Sequence, residues 1–141
     1  MTDYKQIYLD YMDSKGIRYI DHDRYHVEVR YSGDNLRSIR VHVFFDRQGE
    51  DNVTLACAEI FNYPSRRSFA GGAYACNELN KRYRWVKFYI DDDGDIRCEM
   101  DALIDPVFVG DECAKLVRKM VNIIDEARPF FEAMLEEVER M

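Results

Sequence analysis

Residues 77–96 read Asn77-Glu78-Leu79-Asn80-Lys81-Arg82-Tyr83-Arg84-Trp85-Val86-Lys87-Phe88-Tyr89-Ile90-Asp91-Asp92-Asp93-Gly94-Asp95-Ile96, a helix end running into a tight β-hairpin. Val86, Phe88 and Ile90 alternate with Trp85, Lys87 and Tyr89. Beyond the turn, Ile96, Cys98 and Met100 alternate with Arg97, Glu99 and Asp101. A period of two marks a half-buried strand, because successive side chains point to opposite faces. Asp93-Gly94 supplies the positive φ angles that a two-residue hairpin turn demands. Before the hairpin, a helix over about 70–82 presents Ala73, Cys76, Leu79, Asn80 and Tyr83 on one side.

The same reading extends outward. Tyr4, Ile7, Tyr8, Tyr11 and Met12 recur at helical spacing, in a helix that starts near Asp3, with Gln6 as its capping-box partner, and stops at Gly16. Ile17 to Ile20 form a short lead strand. Tyr25, Val27, Val29 and Tyr31 alternate with His26, Glu28 and Arg30, and Ile39, Val41, Val43 and Phe45 with Arg40, His42 and Phe44, in two strands separated by a turn at Ser32-Gly33-Asp34-Asn35. A third strand, Asn52 to Ile60, is apolar or small on both faces and is central or covered. The loop from Asn62 onward contains Pro64, Arg66 and Arg67. The last helix begins near Asp111 and carries two apolar rows, one of Val117, Val121, Ile124, Phe131, Leu135 and Val138, the other of Leu116, Met120, Ile123, Phe130 and Met134. That surface is wider than one helix on one sheet needs. Pro129 removes a backbone donor and bends or splits this helix. The expected order is α-βββ(β)-α-ββ-α, an α+β fold with helices gathered on an antiparallel sheet.

At 141 residues the chain is long enough for one core, and residues 1–141 are expected to form one domain. A net charge of -7 argues against general binding to nucleic acid or to an anionic membrane. No apolar run reaches the roughly 20 residues of a membrane span. Met1-Thr2-Asp3-Tyr4-Lys5 lacks the basic-then-apolar pattern of a secretory leader, so the cytoplasm is expected. Cys57, Cys76, Cys98 and Cys113 form no C-x-x-C pair and are expected to be buried, reduced thiols. Cys113 falls in the first turn of the last helix, where the dipole lowers a thiol pKa unless packing prevails.

The helix end Asn77-Glu78-Leu79-Asn80, the Asp-Gly hairpin and the element order together resemble the YbjN-type family, most specifically over about 75–102. The resemblance implies the fold of type III secretion chaperones and a role as a sensory transduction regulator. It also implies a non-catalytic protein that binds a partner protein or peptide and forms a homodimer. The loop from Asn62 to Gly72 and Pro129 depart from the pattern.

The residues themselves offer several sites. Trp85, Lys87 and Tyr89 fall on the outward face of the hairpin's first strand, where aromatics either cover cross-strand neighbours or anchor a partner. Residues 61–90 carry Arg66, Arg67, Lys81, Arg82, Arg84 and Lys87 against Glu78, a net of +5, leaving -7 - 5 = -12 for the remainder. An anionic metabolite or nucleotide near Arg66, Arg67 and Arg84 is the alternative function. The other explanation of the basic segment is pairing with Asp91, Asp92, Asp93 and Asp95. Asn80, on the apolar side of its helix, must satisfy its acceptor and its donors, either on a neighbouring strand or on a ligand.

The acidic turn fails as a calcium loop. With Gly94 at position six, Tyr89 and Met100 occupy positions that require carboxylates. His26 and His42 lie on the polar side of adjacent strands, whereas His22 precedes the strand, and the spacing matches no known zinc site. P-loop, G-x-G-x-x-G and G-x-S-x-G motifs are absent. Neither a catalytic residue nor a cofactor is expected.

Overall fold

Alternation along the strands sorts the side chains into a buried and an open face. The computed structural model describes residues 2–141; Met1, the first residue of the stretch inspected for a leader, lies outside them. The elements are α1 (Tyr4–Lys15), β1 (Ile20–Asp23), β2 (His26–Tyr31), β3 (Ile39–Phe45), β4 (Asn52–Asn62), a short 3-10 turn (Arg66–Ser68), α2 (Phe69–Arg82), β5 (Lys87–Ile90), β6 (Asp95–Leu103) and α3 (Val109–Arg140). The six strands form one antiparallel sheet in the spatial order β1-β2-β3-β4-β6-β5. The α+β architecture and the order of elements are as expected.

Val27, Val29, Val41, Val43, Leu55 and Cys98 face the helices and are buried. Their neighbours Arg30, Arg40, Phe44, Thr54, Glu99 and Asp101 face away from them, and among the described residues no helix covers that side. β4 is central, as expected, but covered on one side only. Within the helical layer, α3 packs on α1, α2, β3 and β4. Part of its wide apolar stripe is taken up inside the chain, with Val117, Met120, Ile124 and Phe131 fully buried, whereas Leu116, Ile123, Phe130, Met134, Leu135 and Val138 are only half-buried.

Several local expectations need correction. Asp3 accepts from the Gln6 backbone N–H at 3.1 Å, but the Gln6 side chain turns to Asp10 instead of closing a capping box. The lead strand starts at Ile20 rather than Ile17, because the Ile17 N–H is still closing α1 on the Met12 carbonyl. The buried side of α2 is Gly72, Ala75, Cys76 and Leu79, whereas Ala73 is exposed. α3 begins at Val109, so Asp111 lies inside its first turn, paired with Lys115, and does not cap it. The hairpin turn is also longer than two residues. The Asp91 N–H bonds the Asp95 carbonyl, the Gly94 N–H bonds the Asp91 carbonyl, and of the turn residues only Gly94 has positive φ, at 85°. This is a three-residue loop that ends in a left-handed glycine.

The segment 62–72 takes in the end of β4, the 3-10 turn and the first turn of α2, and Tyr63, Ser68 and Gly72 anchor it in the interior. Tyr63 is fully buried, its N–H bonds the Gly94 carbonyl at 2.8 Å, and its hydroxyl donates to the Phe131 carbonyl at 2.8 Å. One side chain thus ties β4, the hairpin turn and α3 together.

Pro129 does not split α3, which runs unbroken for 32 residues. Proline cannot donate to the carbonyl four residues back, that of Asp125. Asn35 takes that place, its side-chain amide donating to the Asp125 carbonyl at 2.9 Å. The Asp125 carboxylate in turn accepts the backbone N–H groups of Asp34, Asn35 and Leu36 at 2.7–3.0 Å. The β2–β3 turn is therefore docked on α3 at the residue whose helical bond the proline removed. Burial opposes the charge on Asp125, but the three donors outweigh it and hold the carboxyl below its ordinary value. This contribution is complete above the unfolded pKa near 4 and disappears as pH falls through the lower folded value. Asp125→Ala is expected to lose about 2 kcal/mol at pH 7. Urea titrations of both proteins check this, and the gap between them should close in acid.

Candidate functional site

The open face of the sheet carries the densest group of functional side chains. His22 sits in β1, His26 opens β2 and His42 lies in β3. Antiparallel register sets Glu28 opposite both Ile20 and His42, and His26 opposite Phe44. The His22–His26, His26–His42 and His22–His42 ring centres are 4.3, 5.0 and 5.9 Å apart. His26 Nε2 and His42 Nδ1 share a hydrogen bond of 2.8 Å. Phe44 stacks on His26 with ring centres 4.3 Å apart. The sequence reading set His22 apart from the other two, before the strand. Strand β1 begins later than the lead strand was expected to, and this brings His22 into the group.

Glu28 underlies the cluster. It is only 3% exposed, on a face otherwise open to solvent. Its carboxylate accepts from His22 Nε2 at 2.8 Å and from Arg30 Nε at 2.6 Å. Burial resists ionisation, but Arg30 and His22 overcome it and hold the carboxyl down to about 2. His26 and His42 titrate below the ordinary histidine value, chiefly because burial disfavours the imidazolium and then because neighbouring groups, His22 among them, repel it.

The structure separates Trp85 from Lys87 and Tyr89. Lys87 and Tyr89 project from β5 on the open face, where the Tyr89 hydroxyl donates to Glu99 at 2.9 Å. Trp85 precedes the strand and belongs to the helix side, its ring 4.9 Å from Lys119 Nζ on α3. Sequence spacing placed the three residues on one face because it assumed that the strand began before Trp85.

The three arginines of the anion reading are not brought together either. Arg66 and Arg67 precede α2 and Arg84 follows it, and a 14-residue helix is about 21 Å long. The acidic turn holds Arg97 beside Asp91 at 3.7 Å, and none of the basic residues of 61–90 pairs with it. Asp91 Oδ1 is taken up by the N–H groups of Asp93 and Asp95, and Asp95 by Asn62.

Asn80 uses both ends of its amide on one residue of β5. Its Nδ2 donates to the Phe88 carbonyl at 3.0 Å and its Oδ1 accepts the Phe88 N–H at 2.7 Å. β5 is an edge strand, so these are the groups a further strand would use. Asn80→Ala is expected to cost about 2 kcal/mol, since it strands a donor and an acceptor beside a buried ring. Faster amide exchange at Phe88 would report the loss locally. All four thiols are buried and unpaired, and burial pushes Cys113 up to about 12, so packing outweighs the helix dipole there.

Three helices on one face of a six-stranded antiparallel sheet define an α+β class that solved structures share. The crystal structure of YbjN from E. coli, described as "a putative transcription regulator", matches with a TM-score of 0.66 at 12% identity, covering 94% of this chain and 93% of that one. An uncharacterised protein from Methanothermobacter thermautotrophicus matches with a TM-score of 0.50 at 15% identity, covering 95% and 97% of the two chains. The chain belongs to the YbjN family, described as "putative bacterial sensory transduction regulator", whose model matches residues 10–133. No curated protein matches it in sequence.

Proposed function

We propose that this chain is a non-catalytic regulatory protein, one cytoplasmic domain over residues 1–141, that engages a partner protein through the open face of its sheet. The observation that carries the reading is that face itself, uncovered across six strands and bearing Ile20, Phe44 and Tyr89 as exposed apolar side chains among charges. Aromatic side chains in a polar surround are the chemistry of interface anchors. Membership of a regulator family supports the same reading. No helix is long and apolar enough to cross a membrane among the described residues. The homodimer rests on the resemblance.

Capture of partners from lysate with the wild-type protein tests the reading. A Phe44→Ala, Tyr89→Ala variant and a Trp85→Ala variant run alongside. Loss of a retained protein with the double variant, but not with Trp85→Ala, supports the open face. Loss with Trp85→Ala alone moves the surface to the helix side. Light scattering that gave the 16.8 kDa mass of one chain at micromolar concentration would remove the homodimer.

A further inference from the structure

All three histidines of the chain converge on one spot of the open face, and each presents a ring nitrogen within 4.8 Å of the other two. We infer that His22, His26 and His42 form a binding site for a divalent transition-metal ion of the zinc class, with Glu28 as the carboxylate that orients His22. The inference does not depend on partner binding.

Donor chemistry selects the ion. Three imidazoles suit zinc and its borderline neighbours, whereas calcium and magnesium require oxygen ligands. The four thiols, which would favour softer ions, are all buried. The sites are also partly preset. An ionised Glu28 can only accept, so the 2.8 Å bond from His22 Nε2 puts that ring's proton on Nε2 and its lone pair on Nδ1. A carboxylate behind a ligating histidine in this way fixes both tautomer and ring orientation. Phe44, stacked on His26, restrains a second ring.

The rearrangement needed at the His26–His42 pair is small. Two nitrogens on one tetrahedral zinc stand about 3.3 Å apart. His26 Nε2 and His42 Nδ1 are at 2.8 Å, so the ion replaces their hydrogen bond by opening the pair slightly. Three protein nitrogens leave a fourth position for water. Each ligand comes from a different strand of the β1-β2-β3 end of the sheet, and Lys5 of α1 holds β1 in place through Asp21 and the Asp23 carbonyl.

Zinc titration of untagged protein, followed by the ring-nitrogen resonances of its three histidines, tests this directly. All three ring systems should shift together and saturate at one equivalent. Movement of fewer than three, or no saturable movement, overturns the site. Glu28→Gln should weaken binding by about 10- to 100-fold while all three rings still respond; unchanged affinity would remove its orienting role. His42→Asn should abolish one-equivalent binding. If circular dichroism shows that variant unfolded, His22→Asn on the exposed edge strand replaces it, and stoichiometric binding retained there overturns the inference.

Discussion

Gly94→Ala is expected to lower stability by about 3 kcal/mol, combining a left-handed backbone with forced overpacking. The residue sits at φ 85°, and a Cβ there would lie 2.3 Å from the Tyr63 carbonyl oxygen and 2.5 Å from the Phe69 ring. The first obstacle is backbone, so it cannot turn aside as a flexible side chain would. At this chain length the thermal midpoint should fall by about 10 °C, which calorimetry measures. A fall of only a degree or two would mean that the turn relaxes and that its three-residue form is not essential to the fold.

Tyr63→Ala should be comparably severe, costing about 3–5 kcal/mol, because a fully buried aromatic leaves a cavity the surrounding backbone cannot close. The ring meets Phe61 edge-on with centres 5.1 Å apart and lies against Gly72 of α2. Tyr63→Phe separates the packing from the hydroxyl, which donates to the Phe131 carbonyl at 2.8 Å. That variant should lose only about 1 kcal/mol. Equilibrium denaturation of the pair checks both values. Equal losses would mean that the hydrogen bond, rather than the packing, holds the hairpin turn to α3.

Much of this architecture was legible in the sequence, for a local reason. Strand alternation at Val27–Tyr31, Ile39–Phe45 and Ile96–Met100 depends only on which face is buried, and one face is. Tyr63 was not legible, because a single aromatic in a Pro- and Arg-containing stretch carries no period. The histidine cluster was hidden by the displaced start of one strand. His22 joins the others because β1 starts at Ile20, which also sets it beside the buried Glu28. The bond from Asn35 to the Asp125 carbonyl, which Pro129 leaves without its helical donor, joins residues far apart in sequence, although proline's missing donor implied that some partner must replace it. Trp85 was misplaced by an error of two residues in one strand's start.

The bond between Asn80 and Phe88 also governs how copies of this sheet can meet. Free backbone groups at a sheet edge invite another strand, and here the two edges are unequal. At β5, Phe88 already has both its outward groups engaged, whereas β1 is short and solvent-exposed along its whole length. Two chains joined β1 to β1 would present only β5 edges at their outer ends. Association by that route terminates at a two-fold pair and cannot propagate into a fibre.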